Sequence, residues 1–185
     1  LSDLKENVEL QHRKLKLRVE QTDQRSCLTN FWGLDTTTDK ARSLVRKWCT
    51  TVEVSHDVKT SDGYTLRLFV IGYTDKQKTQ VKRNCYAKAS KVRDIRKKIF
   101  QILDDEVGKS DLQSVVKKLT LESIEKNISE KTKRIYPMRD VTIRKVKTLK
   151  VPTFEATKLL DAHNNDIPVS KETLGATVTA ADDDE

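Results

Sequence analysis

No stretch of this chain is long and apolar enough to cross a bilayer as a helix. The longest apolar run, Leu68-Phe69-Val70-Ile71-Gly72-Tyr73, falls far short of the ~20 residues that a span requires. No signal-peptide pattern is visible, and a chain that starts at Leu1 without methionine is expected to be a fragment. Cysteine is sparse. Cys27, Cys49 and Cys85 are an odd number, widely spaced, with no C-x-x-C pair, and His12, His56 and His163 are far from metal-ligand spacing. Zinc is therefore not expected, and the thiols read as buried and free in a reducing compartment. Also missing are a P-loop, G-x-G-x-x-G, H-E-x-x-H and G-x-S-x-G. Asp104, Asp105 and Glu106 are neighbours on a helical stretch, so they point in different directions and offer Mg²⁺ no shared site. With no catalytic constellation, the chain is not expected to be an enzyme, to hold a metal or cofactor, or to take a small-molecule substrate. Aromatics make up only 5%, and Trp32, Tyr64, Tyr73 and Tyr86 are too scattered to suggest a stacking platform.

Positive charge is what the chain has in excess. Its 185 residues carry 36 Lys and Arg against 28 Asp and Glu, a net +8, with 36% hydrophobic and 35% charged residues. That balance allows one domain with a small core beneath a heavily charged surface. Residues 161–185 hold seven acids and one base. Removing them leaves 35 bases against 21 acids in residues 1–160, a net +14. Within that core, Lys76 to Lys98 hold ten bases (Lys76, Lys78, Lys82, Arg83, Lys88, Lys91, Arg93, Arg96, Lys97 and Lys98) and one acid, Asp94. Such a density repels itself unless a polyanion is bound, and Lys and Arg side chains match phosphate oxygens.

Periodicity predicts an α+β fold, a mostly antiparallel sheet around a central hairpin, packed with several amphipathic helices. Leu15, Leu17 and Val19 alternate with Lys14, Lys16 and Arg18, a half-buried strand with a cationic outer face. Cys27 to Asp35 reads as a strand end running into a turn, with Trp32 open between packing and surface contact. Thr38-Asp39 starts a helix with Ala41, Leu44, Val45 and Trp48 on its apolar stripe, which makes Trp48 a core anchor and puts Arg46 and Lys47 on the outer face. Val52, Val54 and Val58 alternate, with His56 on the same face, into a two-residue Asp62-Gly63 turn and a returning strand Tyr64 to Tyr73.

A basic loop then enters a long helix near Ser90. Its buried stripe is Val92, Ile95, Ile99, Ile102 and Leu103, and Gly108 ends it. Ser110 and Gln113 match a capping box before Leu112, Val115, Val116 and Leu119. Another helix with Leu121, Ile124, Ile128 and Ile135 stops at Tyr136-Pro137. Val141 and Ile143 open a last strand whose alternation slips before Val146 and Leu149, which predicts a bulge. Pro152 precedes a short helix with Phe154, Leu159 and Leu160. The expected domain runs over residues 1–163, followed by an acidic, disordered tail over 164–185.

The long helix is electrically inverted. A helix favours acids at its start and bases at its end, yet Lys91, Arg93, Arg96, Lys97 and Lys98 come first and Asp104, Asp105 and Glu106 last. Each misplaced charge costs about 0.3–1 kcal/mol when weakly screened, and a bound phosphate backbone would offset that cost. Other faces are basic as well, including Arg46-Lys47 and the run Arg144, Lys145, Lys147 and Lys150. Several cationic faces on one small domain point to folded RNA, read through shape and backbone. An acidic membrane fits less well, because the apolar stripe of the long helix is needed to pack on the sheet.

Six segments, in order, resemble the eukaryotic and archaeal small-subunit ribosomal protein family called eukaryotic S-one, formerly S-three-a. They are Leu28-Thr29-Asn30-Phe31-Trp32-Gly33-Leu34-Asp35; Val45-Arg46-Lys47-Trp48; Val58-Lys59-Thr60-Ser61-Asp62-Gly63-Tyr64 with Leu66-Arg67; Val92-Arg93 with Ile95-Arg96-Lys97-Lys98; Ile135-Tyr136-Pro137; and Arg144-Lys145-Val146-Lys147 with Leu149-Lys150 and Pro152. The resemblance implies a structural component of the small subunit, on the platform near the messenger RNA exit. Its partners would be ribosomal RNA, neighbouring small-subunit proteins and, nearby, initiation factor three. It also implies a cytoplasmic ribosome, assembly in the nucleolus, and an N-terminal extension and first strand that lie outside this chain. Trp32 stands where the family commonly has histidine. The alternative is an extraribosomal RNA-binding or protein-docking module that uses the same basic surface.

Overall fold

Five strands and four helices follow one another in the residues that the computed structural model describes, 11–22 and 27–153. They are β1 (Arg13–Thr22), β2 (Cys27–Thr36), α1 (Thr38–Ser43), β3 (Thr51–Lys59), β4 (Thr65–Thr74), α2 (Ala89–Val107), α3 (Leu112–Thr120), α4 (Ser123–Thr132) and β5 (Met138–Lys150). The strands form one antiparallel sheet in the order β1-β2-β5-β4-β3, so the last strand in sequence lies at the centre. This is the expected α+β architecture, except that the β3–β4 hairpin, expected to be central, lies at one edge of the sheet, because β5 returns to pair between β4 and β2.

One face of the sheet meets the helices. Leu34, Val52, Val54, Val58, Leu66, Leu68, Val70, Ile143 and Val146 pack against the predicted stripe of α2, with Val115 and Leu119 of α3 and Ile124 and Ile128 of α4. Burying each such side chain contributes about 1.5–3 kcal/mol. Because side chains alternate across a strand, register defines the opposite face. There, Lys14, Asp35, Lys145, Phe69 and Ser55 lie in one cross-strand row, and Lys16, Gly33, Lys147, Arg67 and Asp57 in the next. Toward one end of β4 that face is covered, since Leu44, Cys49, Ile71, Tyr73 and Cys85 form a second small core. The cover explains why the second half of β4 is apolar on both sides.

The junction between β2 and β5 is short, with only residues 33–35 of β2 in register with β5. A Cβ on Gly33 would lie 2.7 Å from the Val146 carbonyl oxygen, so glycine is what lets the two strands approach. The predicted slip in β5 is present. Phe69 pairs with Lys145 and Val70 with Ile143, which leaves Arg144 as the extra residue.

Several local expectations are corrected. The β3–β4 turn has three residues, Ser61-Asp62-Gly63, with Thr60 N–H donating to Tyr64 O at 2.8 Å and Gly63 N–H to Thr60 O at 3.1 Å. Gly63 at φ +88 takes the left-handed position, as in a type I turn with a bulge. Asp62 is thereby free to accept the Leu112 N–H at 2.7 Å, capping α3 from outside. Ser110 is not the cap. Asp111 occupies that position, while Ser110 donates to Glu106 O at 2.9 Å.

The helix expected to reach Trp48 ends at Ser43, Leu44 alone turns inward, and Val45 and Trp48 are 79% and 64% exposed. Trp48 adopts φ 65. The turn brings Cys49 beside Cys85 in a parallel bridge, secured by Cys85 N–H to Trp48 O at 2.8 Å; a continued helix could not do this.

Cys27 is exposed, whereas Cys49 and Cys85 are buried as expected. Cys27 to Asp35 belongs to a full strand with no turn in it. Leu17 and Val19 are more than half exposed, because the β1–β2 ladder continues past the short β2–β5 junction and has no sheet behind it. Leu121 is exposed between α3 and α4, where Glu122 takes φ 57. Gly108 follows α2 in right-handed backbone, φ −65. The expected helix at Phe154, Leu159 and Leu160 and the acidic tail lie outside the described residues.

Candidate nucleic-acid interface

The spacing of Val92, Ile95, Ile99, Ile102 and Leu103 turns one side of α2 into the core and everything between them outward. Lys91, Arg93, Arg96 and Lys97 are exposed and Lys98 half-buried. Lys88 is the N-cap and provides no side-chain cap, and no acid stands in the first turn.

The two ends of α2 are treated differently by the rest of the fold. Asp104 Oδ1 lies 2.7 Å from His56 Nε2, Asp105 accepts from Lys109 Nζ at 2.7 Å, and Glu106 accepts from Lys118 Nζ and Asn127 Nδ2, each at 2.8 Å. Hydrogen bonds from Lys109 and Lys118 hold the Asp105 and Glu106 carboxyls below the usual carboxylate range. At the other end, Lys91, Arg93, Arg96, Lys97 and Lys98 make no ion pair among the described residues; Arg93 reaches only Ala89 O, and Lys98 only Gln101. The protein answers the acids of its inverted helix and leaves the bases unanswered.

The other sequence-predicted residues fall in three further places. Lys76, Lys78, Lys82, Arg83 and Lys88 are exposed in the loop before α2, where the Gln80 amide donates to Lys82 O at 3.1 Å. Arg46 and Lys47 lie in the turn after α1 and not on a helix face; Arg46 meets Asp140 at 3.5 Å. Arg144, Lys145, Lys147 and Lys150 are on β5. Lys145 is tied to Asp35 at 3.2 Å, and Lys16 joins the same carboxylate at 3.1 Å. Partial burial alone would raise the Asp35 carboxyl, but the hydrogen bonds from Lys16 and Lys145 outweigh it and hold it low. These groups lie on different elements: α2, the loop before it, the turn after α1, and β5. Two of them do share a concavity of about 430 Å³, lined by Arg96 of α2 and Arg144 of β5 together with Glu53, Ser55, Phe69 and Ile71.

Sequence reasoning missed Phe69, Arg67 and Arg13 as contributors and left Trp32 open. Phe69 and Arg67 stand on the open sheet face, Arg67 in a two-pronged pair with Asp57 (2.5 and 2.6 Å). Trp32 carries the Arg18 guanidinium 5.3 Å from its ring. The signal was available in the alternation Leu66-Arg67-Leu68-Phe69-Val70, which sends the leucines and valine inward and Phe69 outward. Arg13, also unforeseen, is 2% exposed. Its guanidinium binds Glu125 at 2.8 Å, Glu122 at 2.9 Å and Leu119 O at 2.5 Å, fastening the start of β1 to α3 and α4. Among the described residues no group of three or more His, Cys, Asp or Glu side chains could hold a metal ion. Residues 1–152 match the model of the Ribosomal S3Ae family.

Proposed function

This chain belongs to the Ribosomal S3Ae family and is a ribosomal protein of the small subunit; from that premise we propose that it fixes ribosomal RNA by placing unanswered cations against phosphates. Its place is the platform near the messenger RNA exit, among neighbouring small-subunit proteins and beside initiation factor three, in support of initiation. It joins the subunit in the nucleolus and works in the cytoplasm. The basic half of α2 carries the reading. Lys91 in the first turn opposes the helix dipole, the crowded cations of the first half repel one another in the free chain, and the acids at the far end are already engaged. Phosphate oxygens supply the missing counter-charge.

The test is incorporation. Changing Arg93, Arg96, Lys97 and Lys98 together to Glu leaves the buried stripe untouched, so the chain folds. It is expected to fall from the small-subunit peak to the top of a sedimentation gradient in moderate salt. Incorporation equal to that of the unmodified chain would overturn the assignment, and recovery of the unmodified chain only as free protein would favour the extraribosomal reading.

A further inference from the structure

The open face of the sheet carries two aromatic rings, each with a cation against it. Phe69 is half-buried, flanked in register by Lys145 and Ser55, and the Lys147 ammonium lies 5.8 Å from its ring centroid. Trp32 is 42% exposed beneath Arg18. Arg18 alternates in phase with Lys16, and Lys16 is bound to Asp35 in the row that includes Phe69. Both rings therefore belong to one surface; β5 separates their strands by about 10 Å where they pair, and Trp32 lies just beyond that junction, three residues along β2 from the Phe69 row.

Neither ring is needed by the core, which Leu68, Val70 and Leu34 already fill on the other side. Beside Phe69 lies the concavity shared by Arg96 and Arg144, and neither guanidinium has an acid partner among the described residues. The ring offers a π-face, the two guanidinium groups offer phosphate contacts, and the Glu53 carboxylate can accept a hydrogen bond from a base amino group. A duplex hides its base faces, whereas a single strand exposes them.

We propose that the open sheet face binds a single-stranded RNA segment, one base stacked on Phe69 with adjoining phosphates on Arg96 and Arg144, and a second base on Trp32. This rests on the RNA-binding function above and adds to it which form of RNA is held and where. The surface is a reader of unpaired nucleotides that shares Arg96 with the phosphate clamp of α2.

The test compares two probes, a fluorescein-labelled cytidine decamer and a labelled RNA hairpin with a fully paired stem, titrated with the whole chain at fixed salt. Phe69→Leu keeps the apolar volume and removes the π-face. It is expected to weaken decamer binding about five- to a hundredfold and leave hairpin affinity within about twofold of the parent, while Phe69→Tyr retains decamer binding. In a Trp48→Phe chain, Trp32 is the remaining tryptophan, and the decamer should quench its emission. Unchanged decamer affinity in both Phe69→Leu and Trp32→Leu, equal losses for the two probes, or no quenching would overturn the platform. If those variants bind normally while the α2 charge reversal abolishes both complexes, the platform falls and the RNA-binding function stands; if the unmodified chain binds neither probe, both fall.

Discussion

The basic half of α2 and the open face of the sheet are both cationic, but the fold treats them in opposite ways. On the sheet, Asp35 holds Lys16 and Lys145, and Asp57 holds Arg67, so that, among the described residues, Arg144 and Lys147 stand without an acid partner beside fixed neighbours. On α2, Lys91, Arg93, Arg96, Lys97 and Lys98 form no salt bridge among the described residues, with only Lys98 near enough to act on Asp105, whereas Asp104, Asp105 and Glu106 are each engaged. A cation paired within the fold is positioned and contributes little net field. An unpaired cation contributes its full charge and depends on a partner for relief. Position and charge are thus divided between two layers: the sheet orients side chains beside Phe69 and Trp32, and the helix supplies attraction.

The comparison can be broken most severely at Arg13, the one cation buried outright among the described residues. Arg13→Met removes the shared partner of Glu122 and Glu125, and stranding the buried Glu125 carboxylate costs about 3–5 kcal/mol. Burial pushes the Glu125 carboxyl up despite the opposing Arg13 charge. A raised folded pKa means that stability is lost as pH rises through it, so the defect should widen from acid toward neutral pH in denaturant unfolding. Since Arg13 opens β1, decamer binding should suffer before hairpin binding does.

A smaller effect of opposite sign is expected on α2. Lys91→Glu puts an acid in the first turn of a helix whose first turn has none, and should stabilise the free chain by about 0.3–1 kcal/mol at low salt, while RNA affinity falls. The measurement is a pair of curves, thermal unfolding and RNA titration, moving in opposite directions. The smallest effect belongs to Asp35→Asn. Its carboxyl is held low by Lys16 and Lys145, so its contribution is present above the unfolded pKa and lost as pH falls through the folded one. Screening limits it to a few tenths of a kcal/mol. The stability gap between Asp35→Asn and the parent should close on acidification.

Much of this contrast was legible in the sequence, and the rest was hidden for identifiable reasons. The buried stripe of α2, the β3–β4 pairing and the slip at Arg144 follow from side-chain period, which the local chain carries in full. Trp48 misled because helical period cannot see the bridge that pulls Cys49 to Cys85. Leu17 and Val19 misled because alternation records which way a side chain points and not whether anything lies behind it. Arg13 was missed because its partners Glu122 and Glu125 are more than a hundred residues away. The basic residues themselves could be named, but their division into paired and unpaired sets depends on where Asp35, Lys109 and Lys118 arrive in space.

The account is tested most directly by the salt dependence of hairpin RNA binding. Each phosphate contact adds about 0.7–0.9 to the slope of log affinity against log salt. Neutralising Arg93, Arg96, Lys97 and Lys98 to Gln should lower that slope by about 3, and Phe69→Leu should leave it unchanged. An unaltered slope in the α2 variant would show that the unpaired cations of the helix do not face phosphate, and would contradict the account.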